Sequence, residues 1–277
     1  MPTLAVLVLA IARWVTGKRA SERIVSVLAA IAFGTSALAS LILAVSLIGS
    51  ESAGYVVDMG PWFSVGHYHF SWTLIGDRLS LPFAVFSSGL VWMIAVFSRR
   101  YLHREEGFHR FYLMLSFFGA GVLLVVLAGS LDLIFFGWEI VGLSSALLIA
   151  FYHERKAPVE HGLRAFLTYR FCDIGLLGAA VWLHHSVGGS TLIPTDGGMK
   201  WATLAVPPDA ADAMLVGMFL IWASIGKAAQ VPLGSWLPRA MEGPTPSSAL
   251  FYGAISVHLG PYLLLRAAPL FAPNALP

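Results

Sequence analysis

The sequence predicts an all-α membrane protein that crosses the bilayer several times. The chain has 277 residues, of which 57% are hydrophobic and only 12% charged, and its mean hydropathy is +0.76. Soluble domains are about half apolar and about a quarter charged, so this chain has too few charges to cover the surface of a soluble globule. The composition therefore excludes a soluble enzyme, a disordered chain, a coiled coil and a collagen-like fibre.

Net charge, cysteine content and motifs exclude further classes of function. The formal net charge is +2, which provides no basic surface for nucleic acid. The single cysteine, Cys172, cannot form an internal disulfide or a multi-cysteine zinc or iron–sulfur site. A glycine-rich phosphate loop, a G-x-S-x-G motif and a H-E-x-x-H motif are all missing from the sequence. We therefore predict no catalytic site in this chain, and the lipid bilayer is its first predicted partner.

Eight runs are apolar enough to be transmembrane helices, which need about 20 mostly apolar residues. They lie near residues 2–15, 24–48, 80–98, 111–128, 133–152, 165–187, 213–231 and 246–270. The first run is short, but it lacks a charged n-region and an A-x-A cleavage site, which favours a span over a signal peptide. Residues 54–79 alternate imperfectly with period two, which predicts a short hairpin outside the bilayer. The stretch 188–208 contains glycine and proline and is predicted as an exposed loop.

Lysine and arginine are distributed unevenly between the two sets of loops, and this asymmetry predicts the orientation. The loops after spans 1, 3, 5 and 7 carry eleven of these residues, against two, Arg78 and Lys200, in the loops after spans 2, 4 and 6. The eleven are Lys18, Arg19, Arg23, Arg99, Arg100, Arg104, Arg110, Arg155, Lys156, Arg164 and Arg239. We expect these loops to face the cytoplasm of a bacterium, with the N-terminus outside the inner (plasma) membrane.

The functional argument rests on four of the ionisable residues inside predicted spans, where a charge costs at least about 2.5–3.5 kcal/mol. They are Glu139, Asp173, Lys227 and His258. Because of that cost, such residues usually face protein or water, and they often mark an ion path. Structural roles are open alternatives. Arg170 and Asp173 lie three residues apart and can neutralise each other. Glu139 and Lys227 can form a static ion pair, and His258 can be a hydrogen-bonded structural histidine.

These residue types favour a proton path over a substrate site. A buried lysine holds its proton while an acidic partner is close and releases it when the partner withdraws. A histidine further on can pass the proton along through water. Pro232 cannot donate a backbone hydrogen bond, so it predicts a break in the helix that carries Lys227. Pro244 and Pro246 predict an extended entry into the last span, or simply a rigid turn.

Three motifs, in order along the chain, resemble the antiporter-like membrane subunits of respiratory complex I. They lie at 137–144 (GWEIVGLS), 226–232 (GKAAQVP) and 236–246 (WLPRAMEGPTP), and the segments DRLS at 77–80 and EEGF at 105–108 also fit. The resemblance is to the chain L (subunit 5) type of NADH–quinone oxidoreductase. The same superfamily includes Mrp-type sodium/proton antiporter subunits and membrane subunits of energy-coupled inorganic-carbon transporters. The resemblance covers nearly the whole chain.

The resemblance implies a proton-translocating subunit of a multi-subunit membrane complex. It implies no cofactor in this chain, since redox chemistry in such complexes takes place in partner subunits, and an oxidoreductase label would describe the whole complex. It also implies two parts, with N-terminal helices and the hairpin in 1–110 and a first five-helix half-channel in 111–277. In that half-channel Glu139 and Asp173 match acidic residues of the proton path, and Lys227 matches the lysine of its broken helix.

Two departures from the family pattern concern the far end of the path. The second, inverted five-helix repeat is missing, so we expect either a fragment or a partner that supplies the other half. Many relatives have a histidine directly after Ser-Ala-Leu-x, where this chain has Tyr252, and His258 lies six residues further on. Three hypotheses follow: a proton-conducting subunit of a complex I-like assembly, a sodium/proton antiporter or inorganic-carbon transporter subunit, and a non-conducting scaffold whose buried charges are structural.

Overall fold

A computed structural model describes residues 21–48, 54–65, 68–194, 201–250 and 254–271. The predicted first span near 2–15 and Tyr252 lie outside these residues. Six helices in the described part of the chain are long and apolar enough to cross a membrane. They are α1 (Glu22–Ser46), α2 (Ser80–Tyr101), α3 (Phe108–Leu127), α4 (Leu131–Ile149), α5 (Lys156–Val187) and α6 (Ala210–Lys227). The predicted polytopic, mostly helical membrane protein is confirmed.

Local sequence signals explain where several of these helices begin and end. The Ser130 hydroxyl accepts a hydrogen bond from the Leu133 N–H at 3.3 Å at the start of α4. The Asp209 carboxylate accepts from the Ala211 N–H at 2.9 Å at the start of α6. Each cap satisfies a backbone N–H that has no partner in a first helical turn. α5 ends before Gly188, whose φ of 81° requires the left-handed conformation that glycine adopts without strain.

The predicted hairpin is confirmed as a two-stranded antiparallel sheet. It consists of β1 (Gly54–Val65) and β2 (Tyr68–Asp77). The register of the pair shifts on both sides of Pro61, because proline has no N–H to donate to a partner strand. This interruption matches the imperfect alternation of the sequence.

The stretch predicted as an exposed loop, 188–208, contains a second small sheet. β3 (Leu192–Pro194) and β4 (Ala202–Leu204) pair antiparallel, and all three residues of β4 are buried. The loop is anchored to the start of α4, since the Leu192 N–H donates to the Gly129 carbonyl at 2.8 Å and the Leu131 N–H donates to the Ser190 carbonyl at 2.9 Å. Part of this loop is therefore packed against the helices and not exposed.

The centre of the bundle is formed by α3 and α4, which have the largest buried share among the six candidate spans. Their backbones approach closely, because a Cβ placed on Gly137 would lie 2.9 Å from the Gly121 carbonyl oxygen. Small residues permit this kind of contact between membrane helices. α4 carries Glu139, so the close packing fixes the height and direction of that side chain.

Two predicted helix boundaries differ from the structure by four residues or more, and one predicted span is interrupted. α5 begins at Lys156, earlier than the predicted 165, and α6 ends at Lys227, four residues before the predicted 231. The predicted span 246–270 is not one continuous helix in its described residues. It contains the end of α7 (Thr245–Ala249), a 3₁₀ turn, and α8 (Leu259–Arg266). Pro261 lies in the first turn of α8, where its missing N–H costs nothing, but it cannot lie inside a longer unbroken helix.

Candidate functional site

A guanidinium group lies between two carboxylates in the helical bundle. Arg170 of α5 forms an ion pair with Glu139 of α4, and its Nη2 lies 3.3 Å from Oδ2 of Asp173, one turn further along α5. The side chains of Glu139 and Arg170 are 22% and 34% exposed, whereas that of Asp173 is 4% exposed. The pairing of Arg170 with Asp173 that the sequence suggested is therefore present, but it is shared with Glu139. The alternative ion pair between Glu139 and Lys227 does not form.

Trp138 connects this group to Lys227. The indole Nε1 of Trp138 donates to Oδ1 of Asp173 at 2.6 Å, and the Trp138 carbonyl oxygen accepts from Nζ of Lys227 at 3.1 Å. The Lys227 ammonium also lies 4.9 Å from the ring centroid of Trp138 and 4.6 Å from that of Tyr169. At such distances an aromatic face attracts a cation. We call these groups, together with Arg170 and Glu139, the charge network.

Lys227 is the most deeply buried cation of the charge network, with 1% of its surface exposed. Among the described residues, no carboxylate oxygen lies within 4.0 Å of its Nζ. Gly142 provides the space that two cations share, since a Cβ there would lie 3.3 Å from the Lys227 Nζ and 3.5 Å from the Arg170 Nη2. Gly142 lies three residues after Glu139 and so on the same face of α4. Lys227 is therefore held by a backbone carbonyl that accepts its hydrogen bond, by two aromatic faces and by nearby charges, without a direct salt bridge among the described residues.

The end of α6 places Lys227 where the helix stops. Lys227 is the last helical residue, and Ala229, two residues later, has a φ of 52°. The predicted break is thus present, but it begins before the exposed Pro232. A proline clashes with the carbonyl four residues earlier, here that of Ala228. The buried Trp236 then closes the helix end, because its Nε1 donates to the Gly226 carbonyl at 3.1 Å.

The connecting stretch between α6 and α7 packs against the bundle through short turns. Two 3₁₀ segments, Gly234–Trp236 and Pro238–Glu242, lead to the buried Pro244 and Pro246. Pro244 is the N-cap residue of α7, and its carbonyl accepts from the Ser247 hydroxyl at 2.7 Å. The prolines therefore form a compact entry into α7, as the rigid-turn alternative predicts.

The structure does not bring His258 into the charge network. It ends a 3₁₀ turn, Ser256–His258, directly before α8, and its side chain is exposed. In the described part of the chain it has no hydrogen bond or ion pair with Glu139, Asp173 or Lys227. Its place in a proton path remains a prediction.

Sequence reasoning missed a second buried ion pair, at the other end of the bundle. Arg266 of α8 is completely buried and pairs with the Asp77 carboxylate at the end of β2. Its Nη1 donates to the Ala202 carbonyl at 2.8 Å, and its Nη2 donates to the Tyr262 hydroxyl at 2.8 Å. The sequence did contain an indication of this pair, because Arg266 is a charged residue within the predicted span 246–270.

Both oxygens of the Asp77 carboxylate accept hydrogen bonds from backbone N–H groups. It accepts from the Leu79 and Ser80 N–H groups at 3.1 and 2.8 Å and from the Ala202 N–H at 3.0 Å. Burial alone would raise the pKa of Asp77, but the hydrogen bonds and the charge of Arg266 outweigh it and hold the pKa below its usual value. This clamp, Asp77 with Arg266, ties the hairpin to α8 and to β4.

A third buried polar cluster lies at the start of α4. The Asp132 carboxylate lies 2.8 Å from Nε2 of His184 and accepts from the Ser190 hydroxyl at 2.5 Å. His184 belongs to the last turn of α5, and 8% of its side chain is exposed. The His184 side chain therefore packs against Asp132 and ties the end of α5 to the start of α4.

Two protein-family models match the chain. Residues 128–276 match the family described as NADH:quinone oxidoreductase/Mrp antiporter, TM. Residues 62–112 match the N-terminus of chain 5 of NADH-ubiquinone oxidoreductase (complex I). The first match contains the whole charge network.

Curated relatives agree with these matches. The chain is 33% identical to NADH-quinone oxidoreductase subunit L of Escherichia coli over 98% of its own length and 43% of that protein. It is 34% identical to NADH-ubiquinone oxidoreductase chain 5 of Allomyces macrogynus, over 95% of its own length and 40% of that protein. The chain thus spans about two fifths of the length of the relatives it matches.

A solved structure of the Mrp complex from Dietzia sp. DQ12-45-1b also matches the fold. The TM-score is 0.71 with 26% sequence identity, and the match covers 96% of this chain and 28% of the other. The family matches, the relatives and the shared fold lead to one assignment. The chain belongs to the family of antiporter-like membrane subunits that contains complex I subunit L (chain 5) and the Mrp antiporter subunits, as its motifs predicted.

Proposed function

We propose that this chain is a proton-translocating membrane subunit of a complex I-like assembly. The observation that carries the proposal is the position of Lys227, a buried amine at the end of a membrane helix. Trp138 connects it to Asp173, which lies next to Arg170 and its partner Glu139. Charge is costly in this setting, so it is usually kept where an ion or proton path needs it. The relatives named as NADH-quinone oxidoreductase subunits support the same class of assembly.

Lys227 and Arg170 have different roles in the proposed movement of a proton. Lys227 can release its proton, but Arg170 cannot, because a guanidinium stays protonated in proteins. Arg170 is therefore a fixed positive charge whose position between the two carboxylates can change. A shift of Arg170 toward Glu139 leaves Asp173 free to stabilise the ammonium. The opposite shift weakens that stabilisation and favours release of the proton by Lys227.

The proposal includes the architecture that the resemblance implies. Eight spans cross the membrane with the N-terminus outside, and residues 1–110 form the N-terminal helices and the hairpin. Residues 111–277 form the first five-helix half-channel, in which α6 is the broken helix. The proton continues from Lys227 through water toward His258. Other membrane subunits, and the second half that relatives possess, complete the path.

Proton transport by the full-length protein in its assembled complex, reconstituted in proteoliposomes with a pH-sensitive dye, tests the role of Lys227. Lys227→Met should reduce proton transport to background while the complex still assembles. Lys227→Arg should be equally inactive, because arginine keeps the charge but does not release the proton. Lys156→Met is the matched control, since Lys156 is exposed at the start of α5 and its loss should leave transport unchanged.

Two outcomes would contradict the proposal. Full transport by Lys227→Met would exclude a proton carrier at this position. Full transport by Lys227→Arg would assign Lys227 the role of a fixed positive charge, as the scaffold hypothesis requires. Glu139→Gln is an independent test, and proton transport retained in that variant would show that Glu139 is not needed for the proton path.

An Mrp-type sodium/proton antiporter subunit is a second candidate, favoured by the fold shared with the Mrp complex. The two candidates differ in their dependence on sodium. An antiporter subunit should move protons only against a sodium gradient, whereas a respiratory subunit should respond to electron transfer in its partner subunits. Sodium-dependent changes of pH in vesicles, measured with and without quinone reduction, separate them. An inorganic-carbon transporter subunit would instead require bicarbonate uptake.

A further inference from the structure

An exposed groove lies between the start of α1 and the end of α2, far along the chain from the charge network. Its volume is about 1010 Å³. The groove is lined at one end by cationic side chains and along its length by apolar ones. The lining residues are Glu22, Arg23, Trp92, Met93, Val96, Phe97, Arg99, Arg100 and His103.

The positive charge in the groove is not neutralised by the protein. Among the described residues that line the groove, Glu22 is the only acidic one. Its carboxylate is already occupied, since Oε2 lies 2.8 Å from Nδ1 of His103 and Oε1 accepts from the Arg104 N–H at 3.1 Å. Within the described residues, no carboxylate lies within 4.0 Å of the guanidinium groups of Arg23, Arg99 and Arg100. Three of these cations therefore face outward together. A phosphate group is a suitable counter-charge, because guanidinium forms bidentate hydrogen bonds with it.

The apolar part of the groove continues directly from this cationic end. Trp92, Met93, Val96 and Phe97 lie on one face of α2, at the spacing that places side chains side by side on a helix. Each of the four is between 43% and 54% exposed. From Trp92 to Arg99 the helix rises about 10 Å, at about 1.5 Å per residue, which suits a headgroup with the first part of its acyl chains. The apolar wall belongs to the candidate membrane span α2, and the neighbouring span α1 is only 22% buried in its apolar window.

We propose that this groove binds an anionic phospholipid, with its phosphate on Arg23, Arg99 and Arg100 and its acyl chains along Trp92 to Phe97. A free phosphate would satisfy the arginines but leave the apolar wall uncovered, so the combination of both surfaces favours a lipid. The site lies on the side of the membrane where the sequence concentrates lysine and arginine, and basic pockets between membrane helices on that side bind anionic headgroups.

Lipid retention by the full-length protein in its complex tests the proposal. The complex is exchanged into detergent that contains equal amounts of phosphatidylglycerol and phosphatidylcholine, and retained lipids are counted by native mass spectrometry. The test variant replaces Arg23, Arg99 and Arg100 by glutamine. The matched control replaces Arg155, Lys156 and Arg164 by glutamine, which removes the same charge from exposed positions predicted to lie on the same side. We expect the test variant to lose phosphatidylglycerol about tenfold or more relative to the control.

A second variant, Phe97→Ala with Met93→Ala, separates lipid from a free anion. Weaker retention of phosphatidylglycerol in this variant, with no competition by inorganic phosphate, supports the lipid. Displacement of the lipid by millimolar inorganic phosphate would overturn it in favour of a phosphate site. Equal loss in the test and control variants, or equal retention of phosphatidylglycerol and phosphatidylcholine, would also overturn it. Binding of phosphatidylglycerol only after residues 1–20 are removed would also overturn the proposal, because that segment would then be the natural occupant of the groove.

Discussion

Replacement of Arg266 by methionine should destabilise the protein by about 3 kcal/mol. Loss of one partner from a buried ion pair costs about 3–5 kcal/mol, because the remaining charge stays buried without compensation. Arg266 is completely buried, and methionine fills similar space without supplying a donor. The expected value lies at the low end of the range because Asp77 keeps hydrogen bonds from three backbone N–H groups, of residues 79, 80 and 202.

The clamp also predicts how stability depends on pH. The pKa of Asp77 is lowered in the folded protein, so the clamp contributes its full stability above the unfolded carboxyl pKa of about 3.9. That contribution is lost as the pH falls through the folded pKa. Asp77→Asn should remove this acid-sensitive component, so the unfolding free energy of the variant should change less than that of the wild type between neutral pH and pH 3.

Chemical unfolding of the full-length protein in mild detergent, followed by tryptophan fluorescence, measures both effects. Lys156→Met is the control, since the Lys156 side chain is 88% exposed and its ammonium lies 3.5 Å from the Glu160 carboxylate. Exposed pairs of this kind contribute about 0–1 kcal/mol. An Arg266→Met variant as stable as this control would refute the argument that the pair holds the hairpin on α8. An acid dependence unchanged by Asp77→Asn would refute the assignment to that carboxylate.

Three further changes probe the helices around the charge network. Trp138→Phe removes the indole N–H that donates to Asp173, and a buried acceptor left without its donor costs about 1–3 kcal/mol. We expect the unfolding temperature and the rate of proton transport both to fall. Gly142→Ala should slow proton transport severalfold, because the added methyl group crowds Lys227. The free energy of unfolding should change little, because alanine favours a helix over glycine by about 1 kcal/mol. Gly226→Ala places a methyl group against the buried thiol of α5 and should destabilise the protein by about 1–3 kcal/mol in the same unfolding assay.

The sequence predicted the helical spans well because each depends on a local property. Apolar runs of sufficient length identify membrane helices without any knowledge of their neighbours. Boundaries were less accurate because they depend on caps and on proline positions. α6 stops at Lys227, ahead of Pro232, since a proline disturbs the turn before it. The last span was predicted as one helix because residues 246–270 form a mostly apolar run, and hydropathy alone does not reveal the 3₁₀ turn at Ser256–His258 that interrupts it.

The individual charges of the site were predictable, but their pairing was not. Glu139 and Lys227 stand out because charge is rare in apolar runs. Which cation each carboxylate meets depends on how α4, α5 and α6 rotate against one another, and a single sequence does not contain that information. Arg170 reaches Glu139 only because the two helices present these faces to each other. Trp138 was included in a motif, but its double contact with Asp173 and Lys227 required coordinates.

The two buried ion-pair systems differ in how completely other protein groups hydrogen-bond their atoms. All three nitrogens of the Arg266 guanidinium donate, and both oxygens of Asp77 accept. In the charge network Nε and Nη2 of Arg170, Oε1 of Glu139 and Oδ2 of Asp173 have no hydrogen-bond partner within the described structure. Arg170 is shared between two carboxylates, and the proposed release of the Lys227 proton depends on a shift of the guanidinium from one carboxylate to the other.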